Sequence, residues 1–449
     1  MIRYRSPRLG ALALLGAALL AGGLPTAAAR ATGPAVPPAD PTGSWIVVLK
    51  DGASLSGTRS LAAESGTDVA HVYESAVHGF AARMTGARAA ELAADPRVAY
   101  VEPDPVLHVL DDPAPARADA TDPDDPAPGD APAPARPEPA PSLLPAPAPA
   151  PVPVPVPDPA PVPDPDPLPA PVVTVETDAP WALDRIDQRA LPLSTTYGYT
   201  TEAANVTAYV IDTGVQAGHE EFGGRASTGF VASRRLTAGD CNGHGTHVAA
   251  TIGGTRYGVA KGVKLVAVQV ADCRGSATGS DVLAGIDWVS RTATAPAVAN
   301  ISMGGSYSRA MNQAVANSVA RGITYAVAAG NDGADACLTS PASVPQVLTV
   351  GASDREDRAA SFSNSGACLD LYAPGVSVTS AWKTPGQYAT ASGTSMASPH
   401  VAGAAALELA AHPAATPAEV AAALLARSTE DQLTLVPTGT ANRLLHTLP

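Results

Sequence analysis

Residues 111–171 hold 24 of the chain's 45 prolines, and a stretch built this way cannot pack into a core. Alternation such as Pro151-Val152-Pro153-Val154-Pro155 removes backbone donors and fixes φ, so it favours polyproline II. At about 3.1 Å per residue it could extend well over roughly 100 Å. The 449-residue chain must therefore fold as separate pieces on either side. The same stretch carries ten Asp, one Glu and two Arg, which is −9 of the net −14. The acidity belongs mainly to this segment, and nothing elsewhere forms the basic footprint of a nucleic-acid binder. Residues 111–172 read as a semi-rigid acidic spacer, with a partner-docking or wall-binding segment as the alternative. The apolar fraction of 45% excludes wholesale disorder.

Arg3, Arg5 and Arg8 precede an apolar run from Leu9 to Leu24, and Ala27-Ala28-Ala29-Arg30-Ala31 offers cleavage sites of the A-x-A kind. Residues 1–31 thus read as a secretory signal peptide. The run is short for a bilayer span, so the mature chain is expected to be extracellular, with no membrane association once the signal is removed. Export makes disulfides the natural use of Cys241, Cys273, Cys337 and Cys368, with three connectivities open. Their spacings do not suit zinc.

Residues 43–110 alternate as strand Trp45–Leu49, helix 60–65, strand Val69–Tyr73, strand Gly79–Met84, helix 87–94 and strand Val98–Glu102, with Thr85 as an N-cap. The order β-α-β-β-α-β predicts a small α+β ferredoxin-like unit. Its core is thin for its length, so docking would help it.

Residues 178–449 alternate buried-strand runs with amphipathic helices. The strands are Val206–Ile211, Leu265–Val270, Val298–Met303, Ile323–Ala328 and Val347–Ala352. One helix puts Val282, Leu283, Ile286 and Val289 on a face; another does so with Met311, Val315 and Val319. Thr416-Pro417-Ala418-Glu419 is a capping box. The predicted fold is α/β, a parallel sheet with helices on both faces.

Three modest signals mark the chemistry. Asp212 ends an apolar strand, where α/β folds place function, although a lone Asp there is commonly a turn former. His244 lies in Asn242-Gly243-His244-Gly245-Thr246-His247 before a helix, and no HExxH pattern supports a metal at the His pair. Ser395, in Gly393-Thr394-Ser395-Met396-Ala397, sits where a buried helix begins, so its neighbourhood favours negative charge. Together they run Asp, His, Ser in chain order. That order differs from the α/β-hydrolase and chymotrypsin orders.

With these motifs the sequence resembles the subtilases, most closely the proteinase K and aqualysin branch, from about Trp181 to Asn442-Arg443-Leu444-Leu445. Residues 43–110, with Val101-Glu102-Pro103-Asp104 toward their end, resemble the family's inhibitory propeptide. The resemblance implies a subtilisin-like fold and a secreted serine endopeptidase, made as an autoprocessed zymogen and active on protein or peptide substrates as a monomer. In it His244 is the general base, Asp212 orients it, Ser395 is the nucleophile and Asn331 is the oxyanion donor. Ser302, Met303, Gly304 and Gly275 match the segments that pair with substrate backbone, which implies broad specificity. The pairings Cys241–Cys273 and Cys337–Cys368, and a cis bond at Ser340-Pro341, also follow from the resemblance. So does structural calcium, at Asp370 with the carbonyls of Pro345 and Val347, and at Asp184, Asp187 and Gln188.

The long spacer departs from the family pattern. We expect Val106–Leu110 to lie in the cleft as a product-like inhibitor, and maturation to take two cuts, near residues 107–112 and 172–179. An inactive binding protein, a wall-associated structural protein and an esterase are the competing readings. The intact set Asp212, His244, Asn331 and Ser395 argues against the first.

Overall fold

A computed structural model describes residues 42–113 and 172–448. The expected signal at 1–31 and the spacer beyond residue 113 lie outside the described residues.

The N-terminal module runs strand Thr42–Leu49, helix Leu55–Glu64, strands Asp68–Tyr73 and Gly79–Thr85, helix Gly86–Ala93 and strand Val98–Pro103. The four strands form one antiparallel sheet, in the order Asp68–Tyr73, Gly79–Thr85, Thr42–Leu49, Val98–Pro103. The first helix begins at Leu55, earlier than expected, because the Ser54 side chain accepts from the Gly57 N–H and caps it there. Thr85 caps the second helix by accepting from the Arg88 N–H. On one sheet face Val47, Phe80, Met84 and Val98 pack on the module's own helices through Leu61 and Leu92. On the other, Ile46, Val48, Tyr73 and Ala81 share a core with Leu283, Met311 and Val315 of the large domain. A module with too little surface to bury alone thus covers its second face by docking.

The large domain is built on a nine-stranded sheet. Its strands lie in the order Ala226–Val231, Lys264–Gln269, Thr207–Asp212, Ala297–Ile301, Thr324–Ala328, Leu348–Ser353, Leu371–Pro374, Arg443–Leu444, Thr429–Glu430. All pairings are parallel except the last. Helices Gly279–Thr292 and Arg309–Val319 bury the two apolar faces read from the sequence. The capping box at Thr416 and Glu419 opens helix Pro417–Arg427. Strand Thr174–Thr177 pairs antiparallel with Thr196–Tyr199, so the folded part begins just before residue 178.

The chain leaves Thr207–Asp212 toward one edge of the sheet, then crosses back to Ala297–Ile301 on the other side. This reversal opens a crevice at the carboxyl end of Thr207–Asp212, where open parallel sheets bind ligands. The run expected as one strand, 298–303, breaks at Ser302. The chain leaves the parallel sheet there and continues as Met303–Ser306 in a second, four-stranded sheet.

Candidate functional site

Asp212 is fully buried at its strand end, and its Oδ1 lies 2.7 Å from His244 Nδ1. The Thr213 N–H also donates to that oxygen, at 2.7 Å. His244 opens helix His244–Gly253. The preceding Gly243 has φ 115°, and a Cβ there would fall 2.4 Å from the Trp382 ring, so the turn demands glycine. Asp240 holds this loop: Oδ1 accepts from the Asn242 and Gly243 N–H groups and the Thr213 hydroxyl, and Oδ2 from the Thr246 N–H and hydroxyl. Sequence reasoning missed Asp240, whose one signal is its place just before the His244 motif. His247 is not a partner of His244. Its Nε2 faces the Val378 carbonyl at 3.0 Å, and burial drives its pKa down to about 3.

Ser395 is the second residue of the buried helix Thr394–Ala411. Its hydroxyl donates to the Ser302 carbonyl at 2.8 Å, and the Ser302 hydroxyl donates back to the Ser395 carbonyl at 3.0 Å. His244 Nε2 is buried and carries no hydrogen bond. Burial opposes charging this ring but is outweighed by the Asp212 carboxylate, then by Asp111 and Asp240, and the pKa is held up to about 9.

The N-terminal module sends its tail through this crevice. Strand Val106–Val109 lies between Ser276–Thr278 and Met303–Ser306, antiparallel to both. Val109 pairs with Met303 and His108 with Gly304, while the Val109 N–H donates to the Gly275 carbonyl at 2.9 Å. Ser302 pairs with no tail residue in this ladder; it bonds to Ser395, and its hydroxyl accepts from Asn300 Nδ2 at 2.8 Å. Leu107 is buried, and the Leu110 side chain lies over Gly304. The Leu110 carbonyl accepts from Asn331 Nδ2 at 2.6 Å and from the Ser395 N–H at 3.4 Å. The Leu110 N–H donates to Ser395 Oγ at 2.9 Å. A Cβ at Gly393 would fall 2.0 Å from the Leu110 oxygen, so glycine lets the tail approach this closely. Asp112 and Pro113 then pair with Ser392 and Ala391.

Carboxylates fasten the module at helix N-termini, where free N–H groups and the dipole favour anions. Asp104 accepts from the Ser280 N–H and hydroxyl, and Glu102 from the Ser308 hydroxyl and the Ala310 N–H. In the opposite direction, Asp287 Oδ1 accepts from the N–H groups of Glu74, Ser75 and Ala76 at 3.0, 2.6 and 2.8 Å.

Disulfides join Cys241 to Cys273 and Cys337 to Cys368, and Ser340-Pro341 is cis. Of the residues expected to hold calcium, Asp370 spends one oxygen on the Thr349 N–H, and burial raises its pKa. Asp184 gives both oxygens to Ser194 and Thr195. Gln188 donates to the Ala190 and Pro192 carbonyls. Asp187 keeps a buried Oδ1 with no partner, and burial, with the Asp184 charge adding to it, raises its pKa to about 6. Among the described residues no three His, Cys, Asp or Glu side chains converge as a metal cluster. No helix among them is long and apolar enough to cross a membrane.

Residues 204–443 match the profile of the subtilase family, and residues 44–110 that of peptidase inhibitor I9. An extracellular serine proteinase of Thermus sp. (strain Rt41A) is 54% identical over 275 residues, covering 61% of this chain and 67% of that protein. Alkaline serine exoprotease A of Vibrio alginolyticus is 40% identical over 395 residues, covering 88% and 62% respectively. A crystal structure of a cold-adapted subtilisin-like serine proteinase superposes with a TM-score of 0.60 at 50% identity, covering 61% of this chain and all of that one. The chain belongs to the subtilase family of serine proteases and carries an I9-type domain ahead of the subtilase domain. It spans roughly two thirds of the length of these two sequence relatives.

Proposed function

We propose that this protein is a secreted serine endopeptidase, made as a zymogen, and that its first act is to cut its own Leu110–Asp111 bond. The observation that carries this is the Leu110 carbonyl oxygen, held between Asn331 Nδ2 and the Ser395 N–H beside the serine hydroxyl. The hydroxyl turns from the Ser302 carbonyl toward the unpartnered His244 Nε2, which takes its proton as Oγ attacks the Leu110 carbonyl carbon. Asp212 fixes the ring and stabilises its cation. Asn331 and the Ser395 N–H stabilise the tetrahedral oxyanion. His244 then protonates the Asp111 nitrogen, the C–N bond breaks, and water releases Leu110 from the acyl-enzyme.

The module remains as inhibitor, its tail filling the cleft on the non-prime side. Because that tail is read mainly through backbone pairing, the enzyme is expected to accept many sequences. The second cut falls on the linker side of Thr174. A cut within Thr174–Thr177 would break its pairing with Thr196–Tyr199 and free Glu176 from Lys261, 2.8 Å away.

Calcium would be held at Asp187, whose orphan oxygen suits a hard cation, and at Asp370. Asp184, already spent, would position the loop. The ion would supply rigidity and take no part in the chemistry.

The test compares wild type with Ser395→Ala by casein hydrolysis and mass spectrometry. Wild type should mature and digest casein, while Ser395→Ala stays joined at Leu110–Asp111 and inert. Purified Ser395→Ala cut at that same bond would overturn the assignment.

A further inference from the structure

Beside the Leu110–Asp111 bond the cleft holds a cavity of about 480 Å³, with Asp111, Asn242, Arg274, Trp382 and Lys383 in its walls. Arg274 and Lys383 are both exposed. Both stand on braced loops. Arg274 lies between Cys273, bridged to Cys241, and Gly275, whose carbonyl holds the Val109 N–H. Asp272 Oδ1 accepts from the Arg274 and Ser276 N–H groups at 2.9 and 3.0 Å, which tightens the turn. The Lys383 carbonyl accepts from Gln216 Nε2 at 3.1 Å. Two exposed cations at the rim of one cavity are poor company for each other and good company for a carboxylate. The chain supplies one, since Asp111 is the residue just after the bond to be cut and lies in the same wall. Its charge is also felt at His244. Asp112 follows it, and the spacer beyond carries eight further Asp.

We infer that Arg274 and Lys383 form a subsite for an acidic side chain immediately after the scissile bond, so that the enzyme prefers Asp or Glu there in its own precursor and in its substrates. The inference rests on the endopeptidase reading above. Backbone pairing on the non-prime side leaves sequence mostly unread, and this pair of cations adds selectivity on the leaving side. A carboxylate there also favours the His244 cation that forms as Ser395 gives up its proton.

The test uses the mature enzyme and two internally quenched peptides. One has the sequence of residues 106–113, Val-Leu-His-Val-Leu-Asp-Asp-Pro; the other has Asn in place of the first Asp. The readout is the ratio of their kcat/KM values. Assayed at about pH 10, where His244 is mainly neutral with either peptide, wild type should favour the Asp peptide by about two- to fivefold, the range for a partly exposed charge pair. The preference should shrink as salt is raised. Arg274→Glu with Lys383→Glu should invert the ratio, and Arg274→Gln and Lys383→Gln, which are milder at exposed positions, should each lower it. A wild-type ratio at or below one, or a ratio unmoved by the substitutions and by salt, overturns the subsite while leaving the endopeptidase reading intact. Failure of wild type to cut either peptide, with mass spectrometry showing both intact, overturns the endopeptidase reading and the subsite with it.

Discussion

The Asn331 side-chain amide reaches the Leu110 carbonyl oxygen at 2.6 Å, while its own carbonyl accepts from the N–H and hydroxyl of Thr394 at 2.9 and 2.8 Å. The donor is thus locked before any charge develops, which is the condition for electrostatic catalysis. Asn331→Ala should lower kcat on peptides by about 10²–10³, with KM little moved; that magnitude is the loss recorded for one oxyanion donor in a related subtilisin. The precursor should persist uncut for longer in the same variant. A kcat within a few-fold of wild type would mean that the amide holds the tail without stabilising the transition state.

His244 in the intact precursor is held up to about 9, with burial opposing and the Asp212, Asp111 and Asp240 charges raising it. Below that pH the ring is mainly protonated and cannot take the proton of Ser395. Self-cleavage should therefore accelerate as pH rises, with a midpoint near 9. Asp111→Asn removes one of the raising charges, so its midpoint should move to lower pH. The check is a pH profile of first-cut rates by mass spectrometry. Coincident midpoints for the two precursors would show that Asp111 does not act on the ring.

Much of this site was readable in the sequence because each reactive group has a local reason for its neighbours. Gly243, with φ 115°, makes the turn that opens the His244 helix, and the apolar run before Asp212 carries it to a strand end. The parallel sheet and both helix faces follow from periodicity for the same reason. What was not readable depends on partners far along the chain. Asp240 organises a loop through Thr213 and Thr246, and Asn364 braces the Asn331 loop through the Asp332 and Ala334 N–H groups. The strand break at Ser302 arises from its contacts with Ser395, 93 residues away. No local pattern announces any of these.

Asp287 takes three successive N–H groups of the module on one oxygen, an anion nest formed between two folded parts. It is almost wholly buried and also meets Arg291 at 3.2 Å. Asp287→Ala leaves those three donors unsatisfied where water is excluded. After the first cut the module is held only by noncovalent contacts, so its release should be about tenfold faster or more, from charge-assisted bonds of this kind. Activity recovered after dilution of the cut complex gives the rate. The first cut itself should proceed, since the Val106–Leu110 tail remains in the cleft. Unchanged release would show that the shared core, the cleft tail and the Asp104 and Glu102 contacts hold the module without the nest.

Asp187 tests the calcium reading at a single atom. Its Oδ1 is buried without a partner, while Oδ2 accepts from the Gly198 N–H at 2.6 Å. A lone buried carboxylate oxygen is costly unless a cation meets it or a proton neutralises it. Calcium at about 100 times its dissociation constant would add about 2.7 kcal/mol of stability to the folded state. Wild type should therefore melt at lower temperature in chelator and recover when Ca²⁺ is restored. Asp187→Asn should lose part of that shift while keeping its peptide kcat at room temperature, because the loop lies away from Ser395. Asp184→Asn should loosen the Ser194–Thr195 turn and weaken calcium affinity without abolishing the shift. A melting curve indifferent to chelator in wild type would reject calcium at Asp187 and leave its carboxylate met by the Gly198 N–H.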